Sequence, residues 1–134
     1  MAVLTPEQEA FLREHRLAVL GTGRRDGSPQ LSTIMYHYDG SDIAISVTSD
    51  RAKWKNAVRQ PRVAMLVLDG RKQLILYGRA QAIDDAPGIV AGHRRIRQAM
   101  GRAVELDDEA FAWELQGQLR VILRITPERA FMND

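Results

Sequence analysis

The amino-acid sequence predicts an α+β protein that is mainly β, with about six antiparallel strands in a single domain spanning residues 1–134. The first observation is that short apolar runs of strand length recur at close spacing along the chain. The second is that tight turns join most of these runs, which favours antiparallel over parallel pairing. Because so many strands in one domain of this length tend to close on themselves, we expect a barrel.

The first residues carry the signals of a helix start. Thr5 suits the cap, Pro6 suits the first helical position, and Gln8 completes a capping box. We expect this helix to end near His15, and Pro61 to end a second helix. The helices predicted after the first lie at about residues 51–59, 87–101 and 107–115.

Six segments have the length and the apolar pattern of strands. Turn sequences join several of them, and Asp69-Gly70 between the fourth and fifth segments indicates a hairpin. Asp26-Gly27 and Asp39-Gly40 indicate turns before and after the second segment in the same way. The six predicted strands are residues 17–22, 30–38, 43–48, 62–68, 73–83 and 119–125.

Composition excludes several classes of function. The 19 Lys and Arg residues against 17 Asp and Glu give a net charge of +2, which does not indicate a nucleic-acid partner. Without cysteine there is neither a disulfide framework nor thiolate chemistry. No signal-peptide pattern and no apolar run of about 20 residues is present, so we expect a cytoplasmic protein without a membrane partner. The three histidines lack ligand spacing, so we expect no metal site.

A strand that leads into a helix start, residues 43–59, is the most informative segment. The strand alternates large apolar side chains with small ones, so one sheet face stays open to a flat ligand. The helix start offers free backbone N–H groups, and Arg51 and Lys53 add cations there. This combination suits a phosphate, and a solvated helix face is the alternative. The small side chains of the strand are Ala44, Ser46 and Thr48.

Two further segments allow both a structural and a functional interpretation. The strand over residues 29–36 is either simply half-buried or binds the edge of a planar heterocycle through its backbone groups. A basic set near residue 100 is either a solvated helix face or a path for an anionic tail. This set consists of Arg94, Arg95, Arg97 and Arg102.

An ordered series of short segments resembles a known family. The segments are Leu17-Ala-Val-Leu-Gly-Thr, Asp26-Gly-Ser-Pro-Gln-Leu-Ser, Tyr36-His-Tyr-Asp, Arg51-Ala-Lys-Trp-Lys-Asn, Pro61-Arg-Val-Ala and Tyr77-Gly-Arg-Ala-Gln. Together they resemble the pyridoxamine 5′-phosphate oxidase-like split β-barrel superfamily, most closely its actinobacterial branch that uses the deazaflavin coenzyme F420. The resemblance covers residues 5–84, and residues 119–131 fit the closing strand.

The resemblance implies a six-stranded, FMN-binding-like split β-barrel that forms a homodimer with two cofactor sites at the interface. Arg51 and Lys53 would hold the cofactor phosphate, and Gln73 would reach the site of the partner subunit. Ser46, Val47 and Thr48 would flank the ring and its ribityl chain. The residues that would line the ring are Gln30, Ser32, Thr33 and Ile34.

The function implied by the resemblance is an oxidoreductase that transfers a hydride from reduced coenzyme F420 to a small electron-poor substrate. FMN is the alternative cofactor, because the same family has members that use it. A flavin- or haem-binding carrier or sensor without turnover, or a structural dimer without a ligand, are the alternative functions. Tyr36 and His37 are candidate proton donors, and no catalytic residue is assigned.

Overall fold

The computed structural model describes residues 2–133, which form a curved seven-stranded antiparallel sheet and four helices. The strands are β1 (Leu17–Gly23), β2 (Pro29–Met35), β3 (His37–Tyr38), β4 (Ile43–Thr48), β5 (Arg62–Asp69), β6 (Lys72–Ile83) and β7 (Arg120–Asn133). The helices are α1 (Pro6–Glu14), α2 (Ala52–Arg59), α3 (Ala86–Ala99) and α4 (Asp108–Gly117). The predicted class, α+β and mainly antiparallel β of the split-barrel type, is confirmed.

The strand count differs from the prediction because the predicted strand 30–38 is divided at Tyr36. Its first part, β2, pairs with β1, and its second part, β3, pairs with β4. The backbone N–H of Tyr36 donates instead to the carbonyl of Arg16, at 2.9 Å. The strands follow the order β2-β1-β5-β6-β7-β4-β3, so β2 and β3 are the two edges of the sheet. One residue therefore joins the opposite edges, and the barrel is closed at this corner by the chain itself.

The predicted element boundaries agree with the structure at the start of the sequence but not near its end. At the start, Thr5 Oγ1 accepts from the N–H of Gln8 at 3.2 Å, and the Thr5 N–H donates to Gln8 Oε1 at 2.9 Å, so the predicted capping box is confirmed. At the other end, the predicted strand boundaries are wrong. Leu119 has a positive φ of 59° and precedes β7, and β7 continues past Ile125 because Pro127 falls beside a register shift opposite Gly78.

The buried apolar side chains of the described residues form two separate clusters. The larger part lies inside the barrel and includes the apolar side chains of β4, together with Phe11, Leu12 and Trp54 from the helices. The smaller part lies between α3 and α4, where Ile89 and Phe111 are buried. The helical unit α3–α4 therefore has its own packing and rests on the sheet as a separate layer. Among residues 2–133, no helix combines the length and apolar character that a bilayer span requires.

The outer face of the β2-β1-β5-β6-β7 part of the sheet is apolar and exposed. Cross-strand partners on this face include Leu17 with Met35 and Ile75 with Phe131. Leu31 is 68% exposed, although a leucine in a sheet normally packs against another layer. We refer to this surface as the outer face. Its exposed large apolar side chains are Leu17, Leu31, Met35, Leu68, Tyr77 and Phe131.

Candidate functional site

A cleft of about 800 Å³ opens where the two edges of the sheet come together. The end of β2, strand β4, the first turn of α2, helix α3 and the start of β7 all contribute to its walls. Strand β2 pairs only with β1, so the backbone groups on its other side have no ladder partner within the sheet. The cleft therefore combines side chains from several elements with an unpaired strand edge.

Strand β4 presents the small face that the sequence predicts. The side chains of Ile43, Ile45 and Val47 are buried in the barrel, while Ala44 and Ser46 line the cleft. Two of the residues predicted to flank a ring behave otherwise. Val47 is only 2% exposed, so its side chain packs in the core and does not line the cleft. Thr48 does not line the cleft, and its hydroxyl donates to Asp50 Oδ1 at 2.5 Å.

The first turn of α2 has free backbone N–H groups. The cap is Arg51, which has extended backbone angles and makes no side-chain capping hydrogen bond. The preceding residue, Asp50, does not cap this helix, because its carboxylate accepts from the Thr48 hydroxyl, a contact that lowers the pKa of Asp50. No acidic residue occupies the first turn of α2, so no carboxylate within that turn opposes the positive end of the helix dipole.

Three cations surround this helix start. Lys53 and Arg120 line the cleft, and Arg51 lies beside them at the cap. Burial lowers the pKa of Lys53, and the charges of Arg51 and Arg120 lower it further. Within residues 2–133 none of these three side chains forms an ion pair with a carboxylate. Such a group of like charges is best stabilised by an anion placed between them.

A buried histidine, which the sequence interpretation missed, supports the small face of β4. His93 on α3 is 2% exposed, and its Nε2 lies 2.8 Å from Ser46 Oγ. The other ring nitrogen, Nδ1, lies 2.7 Å from the carbonyl oxygen of Ile89. Arg120 Nη1 is 3.5 Å from the same Ser46 oxygen. Helical spacing gives a signal for this residue, because His93 falls on the buried stripe of α3 with Ile89 and Val90.

Strand β2 brings some of its predicted site residues to the cleft. Thr33 and Ile34 line it, next to the unpaired edge of the strand. Ser32 is one position earlier, and its hydroxyl is buried with no hydrogen-bond partner among the described residues. An orphaned buried hydroxyl beside a cleft is a feature that a polar ligand would satisfy.

Gln30 does not line the cleft, in contrast to the role predicted for it. Its Oε1 accepts from Thr22 Oγ1 at 3.2 Å and from Asn56 Nδ2 at 3.4 Å. Asn56 is buried on α2, and Arg59 of the same helix donates to Asn56 Oδ1 and to the carbonyl of Gly23. The side chain of Gln30 therefore helps to hold α2 against the β1–β2 hairpin.

Gln73 also lies away from the cleft within the described chain. It is the second residue of β6, is half-buried, and pairs with Leu68 and Asn133. This register places Gln73 beside the outer face. A contact from Gln73 to the site of a partner subunit stays a prediction.

The basic set, which lies on α3 and just after its end, divides into two groups. Arg94 donates to Asp108 and to the carbonyls of Val104 and Leu106, so it holds the segment that leads into α4. Arg95 lies 3.7 Å from a carboxylate oxygen of Asp39. For these two the structural interpretation applies. The other two members of the set, Arg97 and Arg102, line the cleft. Arg13 and Arg16, which the sequence interpretation did not single out, line it as well.

Neither candidate proton donor is well suited to that role. The hydroxyl of Tyr36 donates to the carbonyl of Leu12 at 2.9 Å inside the core, and burial raises the pKa of Tyr36 well above its ordinary value. His37 is half-buried in the cleft wall. Burial lowers the pKa of His37, with the charges of Arg95 and Arg16 acting in the same direction against Asp39. Across residues 2–133, no cluster of three His, Asp or Glu side chains is placed to hold a metal ion.

Several solved structures share this fold. A protein named F420 reductase matches with a TM-score of 0.71 and 24% identity over 96% of this chain and 98% of that chain. A conserved hypothetical protein of Mycobacterium tuberculosis matches with a TM-score of 0.78 and 22% identity over 98% of this chain and 86% of that chain. HutZ, a haem storage protein of Vibrio cholerae, matches with a TM-score of 0.68 and 19% identity over 98% of this chain and 94% of that chain. At these identities the similarity shows the fold alone.

The family comparison covers almost the whole sequence. The family model of pyridoxamine 5′-phosphate oxidase matches residues 4–134. It includes all seven strands and the cleft residues described above. The chain therefore belongs to the pyridoxamine 5′-phosphate oxidase-like family of flavin-binding split barrels.

Proposed function

We propose that the cleft binds the phosphate and ring of coenzyme F420, and that the protein is an F420-dependent oxidoreductase acting on a small electron-poor substrate. The observation that carries this proposal is the group of unpaired cations, Arg51, Lys53 and Arg120, beside the uncapped start of α2. A phosphate there would accept hydrogen bonds from the helix N–H groups and from charged side chains.

The remaining walls suit a planar group attached to that phosphate. Ala44 and Ser46 leave space against β4, and Thr33 and Ile34 lie beside the unpaired edge of β2. The edge offers backbone donors and acceptors, and the orphaned hydroxyl of Ser32 lies next to it in sequence. These groups would orient the ring, and the walls would exclude water from one of its faces.

When bound, the deazaflavin supplies hydride transfer, which no side chain of the protein supplies. The protein's own contribution is binding and orientation. Lys53 and Arg120 neutralise the phosphate charge, and Ser46 fixes the group next to it. We assign no side chain as an acid or base, because the hydroxyl of Tyr36 is occupied by the carbonyl of Leu12.

The cations beyond the phosphate position favour coenzyme F420 over FMN. Arg16, Arg97 and Arg102 line the same cleft, in addition to the cations at the start of α2. FMN carries one phosphate and no further anionic group, so it would leave these arginines without an anionic partner. The deazaflavin coenzyme extends from its phosphate into a glutamate-bearing tail, whose carboxylates match them in charge.

We further propose that the active form is a homodimer, assembled through the outer face. Family members are commonly dimeric, and the outer face exposes large apolar side chains that a second copy would cover. Gln73 lies beside this face, which is consistent with a contact to the partner's cofactor. Such an arrangement would place two cofactor sites at the interface.

Side-by-side titration of the purified protein tests the cofactor. FMN, coenzyme F420 and haem would each be added while protein and ligand fluorescence or absorbance is followed. We expect saturable binding with the tightest dissociation constant for coenzyme F420. Tighter binding of FMN would identify an FMN enzyme, and binding of haem alone would identify a carrier or sensor.

Turnover is tested separately from binding. The protein would be incubated with reduced coenzyme F420 and a panel of activated alkenes and quinones, and oxidation of the coenzyme would be followed by its absorbance. We expect at least one acceptor to be reduced at a rate above the protein-free control. Tight binding without any turnover across the panel would support a carrier instead.

A further inference from the structure

We propose that His93 is a positioning residue that fixes the hydroxyl of Ser46 as a hydrogen-bond acceptor towards the cleft. The site then selects a ligand that carries a neutral donor, a hydroxyl or an N–H, next to its phosphate. The direction of the His93–Ser46 hydrogen bond follows from the two hydrogen-bond partners of His93 and the burial of its ring. The identity of the ligand rests on the proposed function.

The proton on His93 can be assigned from its partners. Nδ1 lies 2.7 Å from the carbonyl oxygen of Ile89, four residues earlier on α3. A carbonyl oxygen has no proton to give, so Nδ1 must be the donor in this hydrogen bond. The ring is buried, which lowers the pKa of His93, and the charges of Arg97 and Arg120 lower it further. The neutral ring therefore carries its single proton on Nδ1 and a lone pair on Nε2.

The direction of the second hydrogen bond follows. Nε2 of His93 and Oγ of Ser46 are 2.8 Å apart, and only the serine has a proton to place between them. Ser46 donates that proton to His93, and its oxygen keeps only lone pairs for other contacts. Arg120 Nη1 at 3.5 Å approaches from another side and is a donor itself. A ligand in the cleft therefore meets an acceptor, Ser46, beside a cationic donor, Arg120.

The packing of α3 on the sheet holds this arrangement in place. Ser46 on β4 and Ile122 on β7 are direct cross-strand partners. The two neighbouring residues Gly92 and His93 of α3 meet this pair, since a Cβ at Gly92 would lie 2.8 Å from Ile122 Cδ1. The absence of a side chain at Gly92 lets the helix come close enough for His93 to reach Ser46.

The arrangement separates two kinds of ligand group. Phosphate oxygens are acceptors, so they match Lys53 and Arg120 and are repelled by the lone pairs of Ser46. A hydroxyl of a polyol chain, or a ring N–H, matches Ser46 instead. The site is thus complementary to a phosphate ester with a donor group close to the ester linkage, and less so to a diphosphate.

Nuclear magnetic resonance of the ligand-free protein tests the first part directly. In a sample labelled with 15N-histidine, we expect His93 at neutral pH to carry its proton on Nδ1, with the 15N shift of Nε2 typical of an unprotonated nitrogen. The spectrum of Ser46→Ala should keep this tautomer. A proton on Nε2 in the wild-type protein would overturn the proposal. This measurement needs no cofactor, so it is independent of the proposed function.

A double-mutant cycle tests whether His93 acts through Ser46. Ser46→Ala and His93→Phe are each expected to weaken binding of FMN and of coenzyme F420 about fivefold, the effect of one neutral hydrogen bond. The double variant should be no weaker than either single variant. His93→Gln, whose amide oxygen can accept from Ser46, should recover most of the affinity.

The outcomes of the cycle are distinct from those for the proposed function. If the losses of affinity in the two single variants multiply in the double variant, His93 has a merely structural role and the proposal is overturned. Unchanged affinity in both single variants would overturn it as well. Inorganic phosphate, followed by 31P relaxation, should bind the two single variants and the double variant no more weakly than the wild-type protein, because Ser46 offers it no donor. If the wild-type protein binds neither FMN nor coenzyme F420, the proposed function fails, while the histidine tautomer still decides the hydrogen-bond direction.

Discussion

Asn56 Nδ2 on α2 donates a buried hydrogen bond of 3.2 Å to Thr22 Oγ1 on β1. This bond connects the sheet to α2, the helix whose start carries Arg51 and Lys53. We predict that Asn56→Ala lowers the free energy of unfolding by about 1–3 kcal/mol, because Thr22 and Gln30 lose a buried donor. Equilibrium unfolding in urea measures this. Val58→Ala on the exposed side of the same helix should change the stability very little. Equal losses in the two variants would contradict a specific role for Asn56.

The charge of the helix start is predicted to dominate cofactor affinity. Replacing Arg51 and Lys53 together by Ala removes two charge-assisted hydrogen bonds, each contributing about 1.5–3 kcal/mol. Because Arg51 is exposed, screening by solvent places the combined effect at the lower end, about two orders of magnitude in the dissociation constant. Fluorescence titration at low and high salt measures the effect and its screening.

Lys55 provides the matched control for that double variant. It lies on the same helix, is exposed, and does not line the cleft. Lys55→Ala removes one positive charge without removing a cleft contact, so its affinity should stay close to that of the wild-type protein. A loss in Lys55→Ala as large as in the double variant would show a general charge effect rather than a phosphate site.

The arginines farther along the cleft are predicted to distinguish the two cofactors. Arg97→Ala and Arg102→Ala should weaken binding of coenzyme F420, and the loss should grow with the number of glutamates in its tail. Binding of FMN should change much less. Arg95→Ala serves as the control, since Arg95 faces Asp39 rather than the main cleft. Equal losses for FMN and coenzyme F420 would contradict a tail-binding role.

His15 is predicted to make stability depend on pH on the alkaline side. The hydrogen bond to the carbonyl of Phe11 raises the pKa of His15 above its ordinary value of 6.5, burial opposes this, and Asp69 at 3.1 Å raises it further. The folded protein thus binds the proton more tightly than the unfolded chain does. The stabilisation is fully present below pH 6.5 and is lost as the pH rises through the folded value.

The difference between the unfolding free energies of the wild-type protein and His15→Gln, measured across pH 5–9, isolates this contribution. We expect the difference to shrink as the pH rises. Asp69→Asn should remove only part of the dependence, because the carbonyl of Phe11 is the larger cause. A difference that grows with pH would show that the sign is wrong.

The outer face is predicted to be the dimer interface. Leu31 on the edge strand β2 is the most exposed of its large apolar side chains, so Leu31→Asp should place a charge in the contact and convert a dimer into a monomer. Light scattering coupled to size-exclusion chromatography measures the mass in solution. Trp113 on α4 is 80% exposed and lies on a different element, so Trp113→Asp should leave the dimer intact. If Leu31→Asp remains a dimer and Trp113→Asp does not, the interface lies at α4.

Local patterns in the sequence predicted much of the fold. The alternation over residues 43–48 gave the buried and open faces of β4, and the capping box of α1 was visible as Thr5 and Gln8. These features depend on neighbours within a few residues. The break at Tyr36 was not predictable, because it arises when two halves of one apolar segment pair with different strands.

The candidate site was predicted only in part, because its contacts are distant in sequence. Ser46 was predicted, but its partner His93 lies 47 residues away and its neighbour Arg120 lies 74 residues away. Gln30 was placed on the correct strand, yet its side chain turns to Asn56 rather than to the cleft. Periodicity gives the face of an element, and only tertiary packing decides what that face meets.

Strand β7 determines when the barrel can form during synthesis. It is the last strand in sequence, yet it lies in the sheet between β6 and β4. Until residues 120–133 leave the ribosome, a nascent chain can form only two partial sheets, β2-β1-β5-β6 and β4-β3, each with a free edge. The helices α3 and α4 also lack β7 at that stage, which is a strand that both of them pack against. The barrel therefore cannot close before β7 is available, and a chain stalled before β7 would expose strand edges that favour aggregation.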